Sequence, residues 1–198
     1  MFSLQDLLGQ EQGNQAVEQL SQNLGANHSA VTSAVQMALP MILSGLARNA
    51  ANPQGAEQLN QAIEKDHDGS LLDNIAGYLG GGVEPQASGQ TNGAGILGHI
   101  LGDRQTQAAQ AVSQNSGLDI GQVSQLLITL APIVMSYLGR QKQSQNLDSG
   151  GLSSWLGGQQ EQIEQAPQGG FLSSIFDRDH DGSVMDDLAS MAMNQFNK

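Results

Sequence analysis

Apolar residues recur at helical spacing through the first fifty positions of the chain. Val17, Leu20 and Leu24 mark one face over Asn14–Leu24, and Gly25 is a natural C-terminal stop. Asn27, His28 and Ser29 then offer caps for a longer helix from about Ser29 to Asn49. Along it Val31, Ala34, Val35, Ala38, Ile42 and Leu46 form an apolar stripe of the kind that packs into a core. Pro40 falls inside this run. It lacks an N–H and crowds the preceding turn, which predicts a kink or a split into two helices. No segment alternates apolar and polar residues over a useful strand length, so the pattern predicts an all-α protein.

The same pattern occurs twice. Ala16 through Arg48 aligns without a gap to Ala108 through Arg140, an offset of 92 residues. Ser21-Gln22-Asn23 matches Ser113-Gln114-Asn115, Gly25 matches Gly117, Pro40 matches Pro132, Ser44 matches Ser136, and Arg48 matches Arg140. A second match pairs Lys65-Asp66-His67-Asp68-Gly69-Ser70 with Arg178-Asp179-His180-Asp181-Gly182-Ser183, now at an offset of 113. The Gly/Ser/Gln-rich stretch of the second copy accounts for the longer offset. The unit is too long for a solenoid of short repeats and reads as a duplicated helical domain. The expected organisation is a first unit over 1–82 containing an acidic loop at 64–75, and a flexible linker over 83–94. A second helical unit follows over 95–145, then a Gly/Gln-rich linker over 146–170 in which Trp155 and Leu156 form a small anchoring turn, and an acidic loop with a C-terminal helix over 171–198.

The acidic loops carry the candidate chemistry. Hard cations such as Ca²⁺ take six to eight oxygen ligands, and an EF-hand loop supplies them from positions 1, 3 and 5, a carbonyl at 7 and a late acid, with Gly at 6 for a sharp turn. Asp177, Asp179 and Asp181 occupy 1, 3 and 5, Gly182 is at 6, and Ser183 offers its carbonyl at 7. Position 12 is Leu188 rather than Glu, so Asp186 or Asp187 must close the site. In the first loop Glu64, Asp66 and Asp68 take positions 1, 3 and 5, followed by Gly69, Ser70 and Asp73. Glu at position 1 departs from the pattern, so this is the weaker site. His67 and His180 fall at position 4, which points outward in such a loop and is not a ligand. The competing reading is that both loops are solvated acidic turns whose carboxylates cap the next helix.

Charge and composition narrow the remaining classes. The 198 residues carry 7 basic and 19 acidic side chains, a formal net charge of -12. Nucleic-acid binding requires a Lys/Arg excess to displace counterions, so it is disfavoured, as is an anionic membrane surface. The absence of Cys excludes disulfides and thiolate metal sites. There is no nucleophile elbow, Walker loop or His-Glu-x-x-His, and the chain is not expected to be an enzyme. The N-terminus lacks a signal-peptide pattern, and the most apolar run, Leu126–Leu138, is interrupted by Thr129, Pro132 and Ser136. The expectation is a cytoplasmic protein without a membrane span.

Leu7-Leu8-Gly9, the segment ending in Leu39-Pro40-Met41-Ile42, and the loop from Asp66 to Asn74 resemble the bacterial YidB-like family, domain of unknown function family 937. The resemblance covers most of both units. It implies a small all-helical, homeodomain-like fold in cytoplasmic bacterial proteins, and it confers no catalytic residues. The family's aspartate-rich loop falls on Asp66, Asp68, Gly69, Ser70 and Asp73, and again on Asp177, Asp179, Asp181, Gly182, Ser183, Asp186 and Asp187. The leading expectation is a non-enzymatic, calcium-binding structural module whose partners are a divalent cation and a protein partner or a second copy. The alternatives are a helical interaction module with metal-free acidic loops and, behind it, a DNA-binding helical domain.

Overall fold

The computed structural model describes residues 3–80 and 91–165, and all statements about structure concern these. Nine α-helices are described: α1 (Leu4–Leu8), α2 (Gln10–Leu24), α3 (His28–Ala50), α4 (Pro53–Asp66), α5 (Ile75–Leu79), α6 (Gly93–Leu101), α7 (Gln105–Ser116), α8 (Ile120–Gln145) and α9 (Ser149–Glu164). Short 3-10 turns lie at Ser70–Asn74 and Gly102–Arg104. No strand occurs among the described residues.

The repeated sequence builds two equivalent helical hairpins, α2–α3 and α7–α8. Their local signals are the same. The short helix of each ends on a left-handed glycine, Gly25 or Gly117. The long helix of each begins at a carboxamide or carboxylate cap: Asn27 accepts from Ala30 N–H at 2.8 Å, and Asp119 from Gln122 N–H at 2.9 Å. At Asp119 the Gln122 side chain also returns a bond to the cap N–H at 3.0 Å, completing a capping box.

The hairpins interlock. α3 packs on α8, α7 packs on α3, and α2 packs on α8, so the short helix of each hairpin touches the long helix of the other. Gln122 of α8 ties the two together by donating to the Leu24 carbonyl at 2.9 Å. α3 is the central element. Every residue from Ala38 to Ala47 is buried, Ser44 being the one hydroxyl among them, so its middle is enclosed on all sides. α2, α4, α6, α7, α8 and α9 together enclose it. One continuous hydrophobic core, running from Leu4 to Ile163, results.

Three expectations change. The two units do not stand as separate domains on linkers; they share that single core. Of the linker expected over 146–170, residues 166–170 lie outside the described residues, and the part before them is not an extended linker. Ser149–Glu164 is helical, started by Asp148 accepting from Gly151 N–H at 2.7 Å. Leu152, Leu156 and Ile163 bury against α3 and α4, and this burial outweighs the poor helix propensity of its glycines. Trp155 does anchor there, its ring 6.3 Å from that of Tyr137 on α8. Third, of the kink or split expected at each proline, the split does not occur: α3 runs unbroken through Pro40 and α8 through Pro132. The flanking residues Leu39, Met41, Ile133 and Val134 are fully buried, which offsets the lost hydrogen bond. Around Pro132 neighbouring elements take up exposed backbone. Gly93, the first residue of α6, lies against the Ile128 carbonyl, and Tyr78 donates to the Thr129 carbonyl at 3.2 Å. Burial pushes the Tyr78 phenol up to about 12. Of the linker expected over 83–94, residues 83–90 lie outside the described residues, and Asn92 caps α6 by accepting from Gly95 N–H.

α3 and α8 are also long and apolar enough, by length and composition, to cross a membrane, with mean hydropathy 1.5 and 1.4 over their apolar windows. This revises the expectation that no stretch approaches that length. In the fold 78% of the α3 window and 56% of the α8 window is buried by other helices.

A shared core predicts that the whole chain melts in one transition, with calorimetric and van't Hoff enthalpies equal; two resolved transitions would contradict the interlocked arrangement. Because α9 belongs to that core, Leu152→Ala should cost about 2–5 kcal/mol and lower the melting temperature by roughly 5–15 °C. A linker residue would show almost no change.

Candidate functional site

The first acidic loop leaves α4, turns back and lies on the C-terminal half of α8. Helical geometry persists further into it than an EF-hand allows. His67 N–H still donates to the Ile63 carbonyl at 3.0 Å, so Glu64 and Asp66 both stand in the last turn of α4. Residues two apart on a helix point in widely different directions, which keeps these two carboxylates from sharing one ion. Asp68 turns onto its own backbone and accepts from Ser70 N–H at 2.9 Å. Gly69 follows with φ +94°, the left-handed turn expected at that position.

Glu64, Asp68 and Asp73 each have a partner within the fold. Lys142 Nζ on α8 donates to Glu64 Oε1 at 2.8 Å, and Arg140 pairs with Asp73. Gln143 Nε2 donates to the Asp68 carbonyl at 2.9 Å. The hydrogen bond and charge of Lys142 hold the Glu64 carboxyl below its ordinary range. Bonding from Ser70 does the same for Asp68. Among the described residues no three His, Asp or Glu side chains converge closely enough to hold a metal ion. Glu64, Asp66, Asp68, Ser70 and Asp73 are therefore adjacent in the chain but are not gathered around one point. The second set, Asp177, Asp179, Asp181, Ser183, Asp186 and Asp187, lies outside the described residues.

The ion pairs are exposed and weak individually. Apolar contact fixes the loop: Leu71, Leu72 and Ile75 are 7%, 2% and 6% exposed, and burying a side chain of that size contributes about 1.5–3 kcal/mol. Close backbone approach sets the register. Gly139 of α8 lies so near the His67 carbonyl that a Cβ there would overlap it.

His67 departs from expectation. It is not a solvated loop residue but is 3% exposed, and its Nδ1 has no hydrogen-bond partner. Burial lowers its pKa from 6.5, against the opposing pull of Asp66 and Asp68. A signal for this was present in the sequence. Leu59 and Ile63 are the buried face of α4, and one further step of four along that face reaches His67. His67 also lines a cavity of about 460 Å³ between α3, α4, α6 and α8, together with Leu46, Leu59, Ile100 and Met135. His28 is the exposed first residue of α3, and His99 sits exposed on α6.

These helices, their duplicated hairpin and the loop seated on α8 define an all-α, internally repeated protein. Residues 6–141 match the family model described as a bacterial protein of unknown function, DUF937, and the chain belongs to that family. No curated protein and no solved structure matches the chain. The matched span runs from α1 into α8 and crosses both hairpins, so the family domain contains the interlocked pair and not one unit of it.

Two outcomes follow from the loop geometry. The depressed His67 pKa means that the unfolded chain takes up this proton first, so His67 favours folding above pH 6.5 and loses that contribution as pH falls below it. Melting curves from pH 7.5 to 5 should show a decline that His67→Gln flattens. Gly139→Val should lift the loop off α8, read as faster amide exchange at residues 67–75 with α2 and α7 unchanged; equal exchange would show that Gly139 does not set the loop's seat.

Proposed function

We propose that the protein is a non-enzymatic, cytoplasmic helical interaction module in which the first acidic loop is an internal clasp between the two halves. The observation that carries this is the use made of its acids. Glu64 goes to Lys142, Asp73 to Arg140 and Asp68 to the Ser70 N–H, so two of the three link the first half of the chain to α8 of the second. A carboxylate already paired with a lysine gives up that pair before it can ligate a cation.

Calcium binding belongs in this proposal to the second loop. Asp177, Asp179 and Asp181 stand at alternate positions before Gly182, with Asp186 and Asp187 to close the set and Arg178 as the one nearby base. Five carboxylates in eleven residues repel one another, and a divalent cation relieves that repulsion.

Calorimetric titration of the metal-free full chain with CaCl₂ separates the two loops. The Asp179→Ala/Asp181→Ala pair should abolish the heat and any calcium-dependent rise in melting temperature, while Asp66→Ala/Asp68→Ala leaves both in place. Heat that survives the second-loop pair and disappears with the first-loop pair would reverse the assignment, and no heat at millimolar calcium would remove the metal from the proposal.

A further inference from the structure

Neither the clasp nor calcium at the second loop makes use of the cavity between α3, α4, α6 and α8. Its volume is about 460 Å³, and Leu46, Leu59, Ile96, Ile100 and Met135 give it an apolar wall, with Gln54 and Gln58 exposed at the rim. No Lys, Arg, Asp or Glu lines it. Such a wall suits an apolar occupant, because a charged one would lose water there without gaining a counter-charge.

The chain carries a segment with matching chemistry. Residues 166–198 follow the described part. Over 166–176 there is no charged side chain, and charge returns at Asp177. Phe171, Leu172, Ile175 and Phe176 are spaced so that one helical face would gather all four. The repeat points the same way. At the offset of 113 Leu172 matches Leu59 and Phe176 matches Ile63, and in the first copy both are buried, at 8% and 2% exposed. The second stripe has the same need for cover.

α9 brings the segment within reach. It packs on α3 and α4, two walls of the cavity. Near its start Ser153 donates to the Ala50 carbonyl at 2.7 Å, just ahead of Asn52 in the wall. From Ser153 to Gln165 a helix carries the chain only ~18 Å. The residues from Gln165 to Phe171 span up to ~20 Å, enough to return to the wall.

The geometry points to this cavity as the docking site of the chain's own segment 171–176, whose four apolar side chains cover Leu46, Leu59, Ile100 and Met135 and leave the acidic run from Asp177 outside. The cavity is then an internal contact, and an outside molecule or a second copy reaches it only by displacing the segment.

Because the chain has no Cys, cross-linking in the full protein reads the contact directly. Ser174→Cys is combined with Gln58→Cys at the rim or, as control, with Glu57→Cys, exposed on the same helix but outside the wall. Mild oxidation in the presence of a calcium chelator keeps the result independent of metal at the second loop. The Gln58 pair should close within one chain about tenfold faster than the Glu57 pair, since docking raises the effective concentration of the two thiols. In the chain without added Cys, Phe171→Ala/Phe176→Ala should shift the Ile100 and Met135 methyl resonances, which lose the rings beside them. Equal rates for the two pairs, a disulfide that joins two chains, or methyl resonances unmoved by the double substitution would each overturn the proposal.

Discussion

Enclosure of the α3 midsection is the constraint on which the other packing depends. A helix with one apolar stripe needs one neighbour, but ten consecutive buried residues, Ala38 to Ala47, need neighbours in every direction. The first hairpin supplies only α2 and, after the turn, α4. The remainder of the surface is covered by α6, α7, α8 and α9, all from the second half. Neither half can hold its own long helix out of water, and so a duplicated sequence yields one body. α8 is the less enclosed of the pair, with 12 of its 26 residues buried against 15 of 23 in α3, and the two large apolar side chains exposed among the described residues, Ile120 and Ile128, are both on it.

The first loop finds its place as a consequence. Once α8 lies across the first half, its last turns present Gly139, Arg140, Lys142 and Gln143 to the segment leaving α4. The apolar residues Leu71, Leu72 and Ile75 fix the loop there, and the charged pairs orient it. This order of importance follows from magnitude, since exposed ion pairs are weak and a buried leucine is not. Two of the loop's four carboxylates, Glu64 and Asp73, are paired there with bases from the other copy.

Much of this was legible before any coordinates. The spacing of Val17, Leu20 and Leu24, the stop at Gly25 and the cap at Asn27 placed α2 and α3 to within a few residues, and the offset of 92 carried both to α7 and α8. These are local signals, and local geometry obeys them. The misses share a different cause. α9 was hidden because Gly150, Gly151, Gly157 and Gly158 suggest a linker, and only the surface of α3 and α4 makes a helix worthwhile there. Continuation of α4 through Asp66 was hidden because the Asp-x-Asp-Gly pattern suits an EF-hand loop equally well. The single-core arrangement was hidden because a repeat shows that two units are alike, and not whether they stand apart or interlock.

His67 shows how the two kinds of information conflict. Its neighbours Asp66 and Asp68 mark it as part of a solvated loop, whereas its place four residues beyond Ile63 marks it as core. The structure honours the periodicity, and the conflict leaves a residue: a buried imidazole nitrogen without a partner, flanked by two carboxylates that oppose its neutral state. A leucine at that position would pack without this penalty and keep the stripe of Leu59 and Ile63 intact. Retaining an ionisable ring there ties that stretch of the core to pH, because protonation would charge a group that burial keeps neutral.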